Sequence, residues 1–186
     1  MKFTKEDFEK LKIINPDLYI DWFNLYSEQF NVNTVKRILC FLPNLLHEST
    51  NFKYVKEILP RNKSDYVERL GNFFGRGLLQ VTWKRNYKLF TEWCKLNIQE
   101  FDKDFVKNPE LLETPQYAVL SAFWYWKSNN LQKYADINDF DNVCSLINRG
   151  KLIDKTNPNW KKLINGYDDR LKKYNLVKQM LKSWIQ

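Results

Sequence analysis

The sequence predicts a mainly α fold with one small irregular β region over residues 52–82. Three observations point there. Apolar residues recur at helical spacing in segment after segment. Two segments open with a capping residue followed by proline, Asn15-Pro16 and Thr114-Pro115, the usual start of a helix. The middle of the chain is instead short-patterned, aromatic or β-branched, and cut by glycine.

Taken in order, NPDLYIDWFNLYSEQF reads as a helix with Asn15 as N-cap and an apolar face of Leu18, Trp22, Leu25 and Tyr26. A second helix is expected from Thr34 to Glu48, with Val35, Ile38, Leu39, Leu42, Leu45 and Leu46 on its core face. Pro43 inside it should kink the helix or break its hydrogen-bond ladder. The stretches NFKYVKEIL and YVERLGNFFGRGLLQVT read as loops with one or two short strands, and Leu78–Val81 as a buried strand that places Gln80 and Thr82 on one face. Helices resume at KRNYKLFTEWCKL, TPQYAVLSAFWYWKS, INDFDNVCSLIN and NGYDDRLKKYNLVKQMLKSWI.

With 186 residues, 44% of them hydrophobic and 16% aromatic, the chain suits a single domain with a filled core. No apolar run approaches the ~18 residues of a membrane span. The charged start MKFTKEDFEKLKII lacks the apolar block of a secretory signal, so synthesis in a cytoplasm is expected, with release by another route if the protein acts outside. Cys40, Cys94 and Cys144 lie far apart with no CxxC, which argues for buried free thiols over a disulfide framework or zinc site. A formal charge of +8 spread along the chain favours polyanionic surroundings such as a bacterial envelope. It forms no dense basic run of the kind that marks a specific nucleic-acid site.

The chain has one histidine, His47, followed by Glu48. An HExxH zinc motif needs a second histidine, and none exists; nor is there a Gly-x-Ser-x-Gly elbow. No metal and no cofactor is expected. What remains is a carboxylate pair, Glu48 and Glu57. A helix ending near Ser49 puts Glu48 in its last turn, where the dipole and apolar neighbours both favour a carboxyl that keeps its proton. Glu57 lies in a more extended, polar segment and suits a base. Two carboxylates in contrasting environments match glycoside hydrolysis, although any chain this rich in acids contains many Glu pairs. In FFGRGLLQVTWKRNYKLF, Gly75 and Gly77 permit close approach of a ligand, and the absence of Gly-Lys-Ser/Thr excludes a phosphate loop.

Together, LLHEST, the glutamate nine residues on, GRGLLQVTWKRNY, NPELLETPQYAVLSAFWYW, LIN and DDRLKKY resemble, in this order, glycoside hydrolase family 19. The short Glu-to-Glu separation resembles the phage endolysin branch. The resemblance runs from about residue 35 to 182. It implies a lysozyme-like α+β fold with a cleft between two helical lobes, residues 34–182 forming the core and 1–33 a helical extension packed on it, all within one catalytic domain, 1–186. It further implies Glu48 as general acid, Glu57 as general base and Thr82 as the residue that positions the water. Gln80, Asn86, Tyr87 and Asn148 match residues of the substrate cleft, and Arg170 an arginine that supports the catalytic network. An inverting reaction at β-1,4 links between amino sugars is implied, with the carboxyls roughly 6.5–9.5 Å apart. The expected substrate is peptidoglycan, cut by a monomer that reaches the cell wall through a membrane pore or a secretion system. A chitinase on the same scaffold is the nearest alternative, and a non-catalytic basic module that holds wall polymer or nucleic acid is the next. The sequence departs from the family at Arg149, which replaces a glycine, at Trp83, where many relatives have glycine, and in the added stretch KLIDKTNPNWKKL.

Overall fold

A computed structural model describes residues 2–59 and 68–184. Its helices are α1 (Lys5–Lys10), α2 (Ile20–Gln29), α3 (Val35–Glu48), α4 (Lys84–Asn97), α5 (Pro115–Ser128), α6 (Gln132–Asp136), α7 (Phe140–Arg149) and α8 (Tyr167–Leu181), with short 3-10 turns at Pro16–Leu18, Pro109–Glu113, Trp160–Leu163 and Lys182–Trp184. The expected mainly α fold is what the chain adopts.

The centre is α3. Thr34 caps it by accepting from the Arg37 N–H, and residues Ile38–Leu46 are buried on every side. A helix apolar all round belongs inside a bundle, and α3 packs against α6, α7 and most extensively α8. Pro43 does not break it. The proline forgoes one backbone bond, yet the helix runs through all 14 residues, and the neighbouring Asn44 amide donates to the Cys40 carbonyl.

The N-terminal residues join the same core. Thr4 and Asp7 form a reciprocal capping box on α1. Phe8 packs edge-on to Phe23 and Phe52, and Phe3 to Trp184 near the other end of the chain. Each such fully buried ring contributes roughly 1.5–3 kcal/mol of burial energy. The apolar face read for the first long helix needs correction. The helix starts only at Ile20, after a 3-10 turn in which Asn15 has left-handed φ and makes no side-chain cap. The buried side is Tyr19, Phe23 and Tyr26, whereas Leu18 and Leu25 are 51% and 43% exposed. The break between turn and helix rotates the face by about one position.

The irregular region contains no extended strand among the described residues. It is held by two isolated antiparallel bridges, Lys56 with Arg76 and Arg76 with Val81. Leu78–Val81 is therefore a turn, with Gln80 at φ +52°, and the shared strand face expected for Gln80 and Thr82 does not exist. Part of the region, residues 60–67, lies outside the described residues. All three cysteines are buried and unpaired, and burial pushes each thiol up to about 12.

Candidate active site

A cleft of about 690 Å³ opens between a helical wall and a loop wall, with Glu48 on the first and Glu57 on the second. Gln80, Thr82 and Asn86 line the loop side, and Asn148 and Arg149, at the end of α7, line the other. Six of the eight residues singled out in the sequence thus meet in one cavity.

The helical wall is built from buried polar groups. Glu48 ends α3, and its Oε1 accepts from Nη2 of Arg170, an α8 side chain with no exposed surface. Arg170 Nη1 donates to Asn44 Oδ1 at 2.7 Å and its Nε to the Asn165 carbonyl at 3.2 Å. Oε2 of Glu48 has no hydrogen-bond partner among the described residues. One residue before Glu48, His47 Nδ1 lies 2.7 Å from Asp169 Oδ2. Burial alone would raise the Asp169 carboxyl, but the His47 bond and the charge of Lys173 outweigh it and hold the carboxyl below its ordinary range. His47 also fills the space beside Gly166, where a Cβ would come within 2.0 Å of its Cε1. It therefore fixes the start of α8, and with it Arg170.

The loop wall is held by backbone and by a second buried arginine. The Gly75 N–H donates to Glu57 Oε2 at 2.9 Å, while the Glu57 N–H donates to the Gly75 carbonyl at 2.8 Å. A Cβ on Gly75 would stand 2.7 Å from Gln80 Oε1 and 3.2 Å from that same Glu57 oxygen, so any side chain here has to push the Gln80 amide or the carboxylate aside. Arg76 stacks 3.9 Å over the Phe74 ring and bonds Glu113, Asn72 and the Tyr87 hydroxyl. Gln80 Nε2 is tied to the carbonyls of Gly77 and Tyr54. Thr82 Oγ1 donates to the Gln80 carbonyl at 2.9 Å, which leaves its oxygen able to accept a bond from water. Asn86 Nδ2 donates to the Thr82 carbonyl. Asn148 Oδ1 accepts from the Asn165 N–H, which leaves the amide NH₂ as a donor.

Two expected residues stand behind the cleft instead of in it. Tyr87 is fully buried, its hydroxyl donating to the Phe74 carbonyl and accepting from Arg76. Arg170 is likewise sealed beneath Glu48. Neither lines the cleft: Arg170 lies where an arginine supporting Glu48 was expected, whereas Tyr87, expected on the cleft surface, packs behind it. The sequence reading passed over Asn44, Arg76, Glu113 and Asp169. Asn44 carried a signal, a lone polar residue inside an apolar helix and one turn before Glu48. Arg76 carried none, because its ionic partner Glu113 lies 37 residues further along the chain.

Three of the left-handed non-glycine residues lie at this cavity. Thr50, Gln80 and Trp83 all line it and have φ of +50°, +52° and +77°, conformations that cost a non-glycine residue energy and persist where surrounding structure enforces them. Trp83 is also 47% exposed.

No protein-family model matches the chain. Over 122 residues it is 33% identical to a Haemophilus influenzae protein described as containing a glycosyl hydrolase family 19 domain, a match that covers 60% of this chain and 49% of that one. It is 26% identical to a basic endochitinase of Brassica napus over 61% of this chain and 43% of the other. The matches thus span about half or less of these relatives' length. Among solved structures, chitinase C from Streptomyces griseus superposes with a TM-score of 0.70 at 19% identity, covering 96% of this chain and 76% of that one. A bacterial family 19 chitinase gives 0.63 at 19% identity over 94% of each chain. Similarities at that identity establish the fold.

Proposed function

We propose that this relative of the family 19 glycoside hydrolases is itself a glycosidase, which inverts the anomeric centre as it cuts β-1,4 links between amino sugars in peptidoglycan. The observation that carries the reading is the placement of Glu48 and Glu57 on opposite walls of one cleft, each held by a different local device.

In this mechanism Glu48 protonates the glycosidic oxygen. Arg170 occupies Oε1, so the proton sits on Oε2. As the bond breaks, the new carboxylate is met at once by a buried guanidinium that needs no rearrangement. Glu57 takes a proton from a water on the opposite face of the ring. That water donates its other hydrogen to Thr82 Oγ1, which turns a lone pair toward the sugar carbon. The Gly75 N–H aims the base, and the amide NH₂ of Asn148 is available to a sugar hydroxyl or acetamide.

Peptidoglycan is favoured over chitin by the +8 charge, which suits an anionic envelope, and by the endolysin-like spacing of the two glutamates. The same features fit action at a bacterial wall after release through a pore or a secretion system. Chitin hydrolysis on the same scaffold is the second reading, and the endochitinase named among the relatives supports it. Permeabilised Gram-negative cells are the test. Wild type should clear the suspension and release new reducing sugar ends, and Glu48→Gln should lower the rate by about 10²–10⁴-fold. Equal clearing by the two proteins would contradict the assignment of the acid.

A further inference from the structure

Among the described residues, four charged side chains line the cleft: Glu48, Glu57, Lys56 and Arg149. Three have a counterpart. Glu48 meets Arg170, Glu57 accepts from Gly75, and Lys56 Nζ lies 3.6 Å from Glu113. Arg149 is half-buried, and its guanidinium has no hydrogen bond or ion pair with any described residue. It is the last residue of α7, adjacent to the cleft residue Asn148 and followed by the left-handed Gly150. A basic residue suits a helix C-terminus in any case, but the dipole does not account for a side chain turned onto the wall of a substrate cleft.

A polymer that fills the cleft removes water from that cation. A neutral glycan offers only hydroxyls and acetamides in return, and burying a charge against those costs free energy. A carboxylate matches the guanidinium fork with two parallel bonds. Resting on the glycosidase reading above, we propose that Arg149, with Lys56 across the cleft, binds a carboxylate carried as a substituent on the glycan. The cleft then selects an acidic amino-sugar polymer over a neutral one. In a bacterial wall that carboxylate comes from the lactyl ether of the muramyl sugar or from the peptide attached to it.

The experiment compares wild type and Arg149→Ala on three substrates: intact peptidoglycan, strands stripped of peptide so that the lactyl carboxylate is free, and N-acetylchitohexaose. The readout is the ratio of kcat/KM on each acidic substrate to that on the neutral oligomer. The substitution should lower this ratio by about 10–100-fold, the worth of one charge-assisted pair. A drop on stripped strands identifies the lactyl group, and a drop on intact wall alone identifies the peptide; both support the carboxylate site. An unchanged ratio in an active enzyme overturns the site and leaves the glycosidase reading standing. Binding of stripped strands and of chitohexaose to Glu48→Gln, with and without Arg149→Ala, separates the two claims further. Arg149-dependent preference for the acidic strand without any hydrolysis by wild type would keep the site and sink the reading. No preference in either assay would remove the site.

Discussion

The two walls of the cleft hold their glutamates by opposite means. Glu48 rides on the last turn of a buried helix, and its orientation comes from side chains: Arg170, Asn44, and the His47–Asp169 pair that fixes the start of α8. Glu57 lies on non-repetitive chain. Its orientation comes from backbone, the reciprocal bonds with Gly75, braced by Arg76 beneath. The difference sets what each wall tolerates: side-chain losses should unfold the helical wall, whereas small backbone changes should disable the loop wall without unfolding it.

Arg170→Met tests the first half and carries the largest expected effect. It leaves Glu48 and Asn44 without their buried partner and should destabilise the protein by about 3–5 kcal/mol, read as a lower urea midpoint. A loss under ~1 kcal/mol would mean that the helical wall does not depend on this pair. Gly75→Ala tests the second half. The added Cβ must displace Gln80 or Glu57, and activity should fall about 10²-fold while the urea midpoint moves little. A large stability loss with intact specific activity would reverse the comparison.

Trp83→Gly should move stability and binding in opposite directions. Removing a side chain at φ +77° relieves strain of order 1 kcal/mol and raises the thermal midpoint slightly, while glycan binding weakens because an exposed indole leaves the cleft. The smallest effect belongs to Asp169→Asn. Asp169 is 49% exposed, so screening keeps its link to His47 below about 1 kcal/mol. The folded carboxyl is held below its unfolded value. Its contribution is therefore present above the ordinary Asp value of ~3.9 and disappears as pH falls through the lowered folded value. The stability gap between wild type and Asp169→Asn should be flat from neutral pH down to about 4 and close in stronger acid.

The same division governs what could be read in the sequence. α7 is legible because its burial follows a helical period, α3 and α5 because they are long apolar runs buried almost without a break, and Thr34 marks the start of α3 as a chemical cap. The resemblance to family 19 picked out Glu48, Glu57, Thr82, Gln80, Asn86 and Asn148, which do meet in one cavity. Periodicity failed where a 3-10 turn precedes a helix, as at Leu18, and where left-handed residues replace a strand, as at Gln80. It also could not tell a cleft residue from its support: Tyr87 and Arg170 look polar and available in sequence, yet both are spent entirely on internal bonds. Burial of that kind is set by contacts between elements, 126 residues apart for Arg170 and Asn44 and 13 for Tyr87 and Phe74, and no helical period records it.

The central claim is that Glu48 and Glu57 act as acid and base on opposite faces of one sugar ring. The most direct measurement is proton NMR of the first hemiacetal released by wild type from a β-linked substrate, followed before mutarotation. The account predicts the α anomer, and its disappearance in Glu57→Gln. Release of the β anomer would contradict it, because retention requires the second carboxylate to attack the sugar itself and not a water.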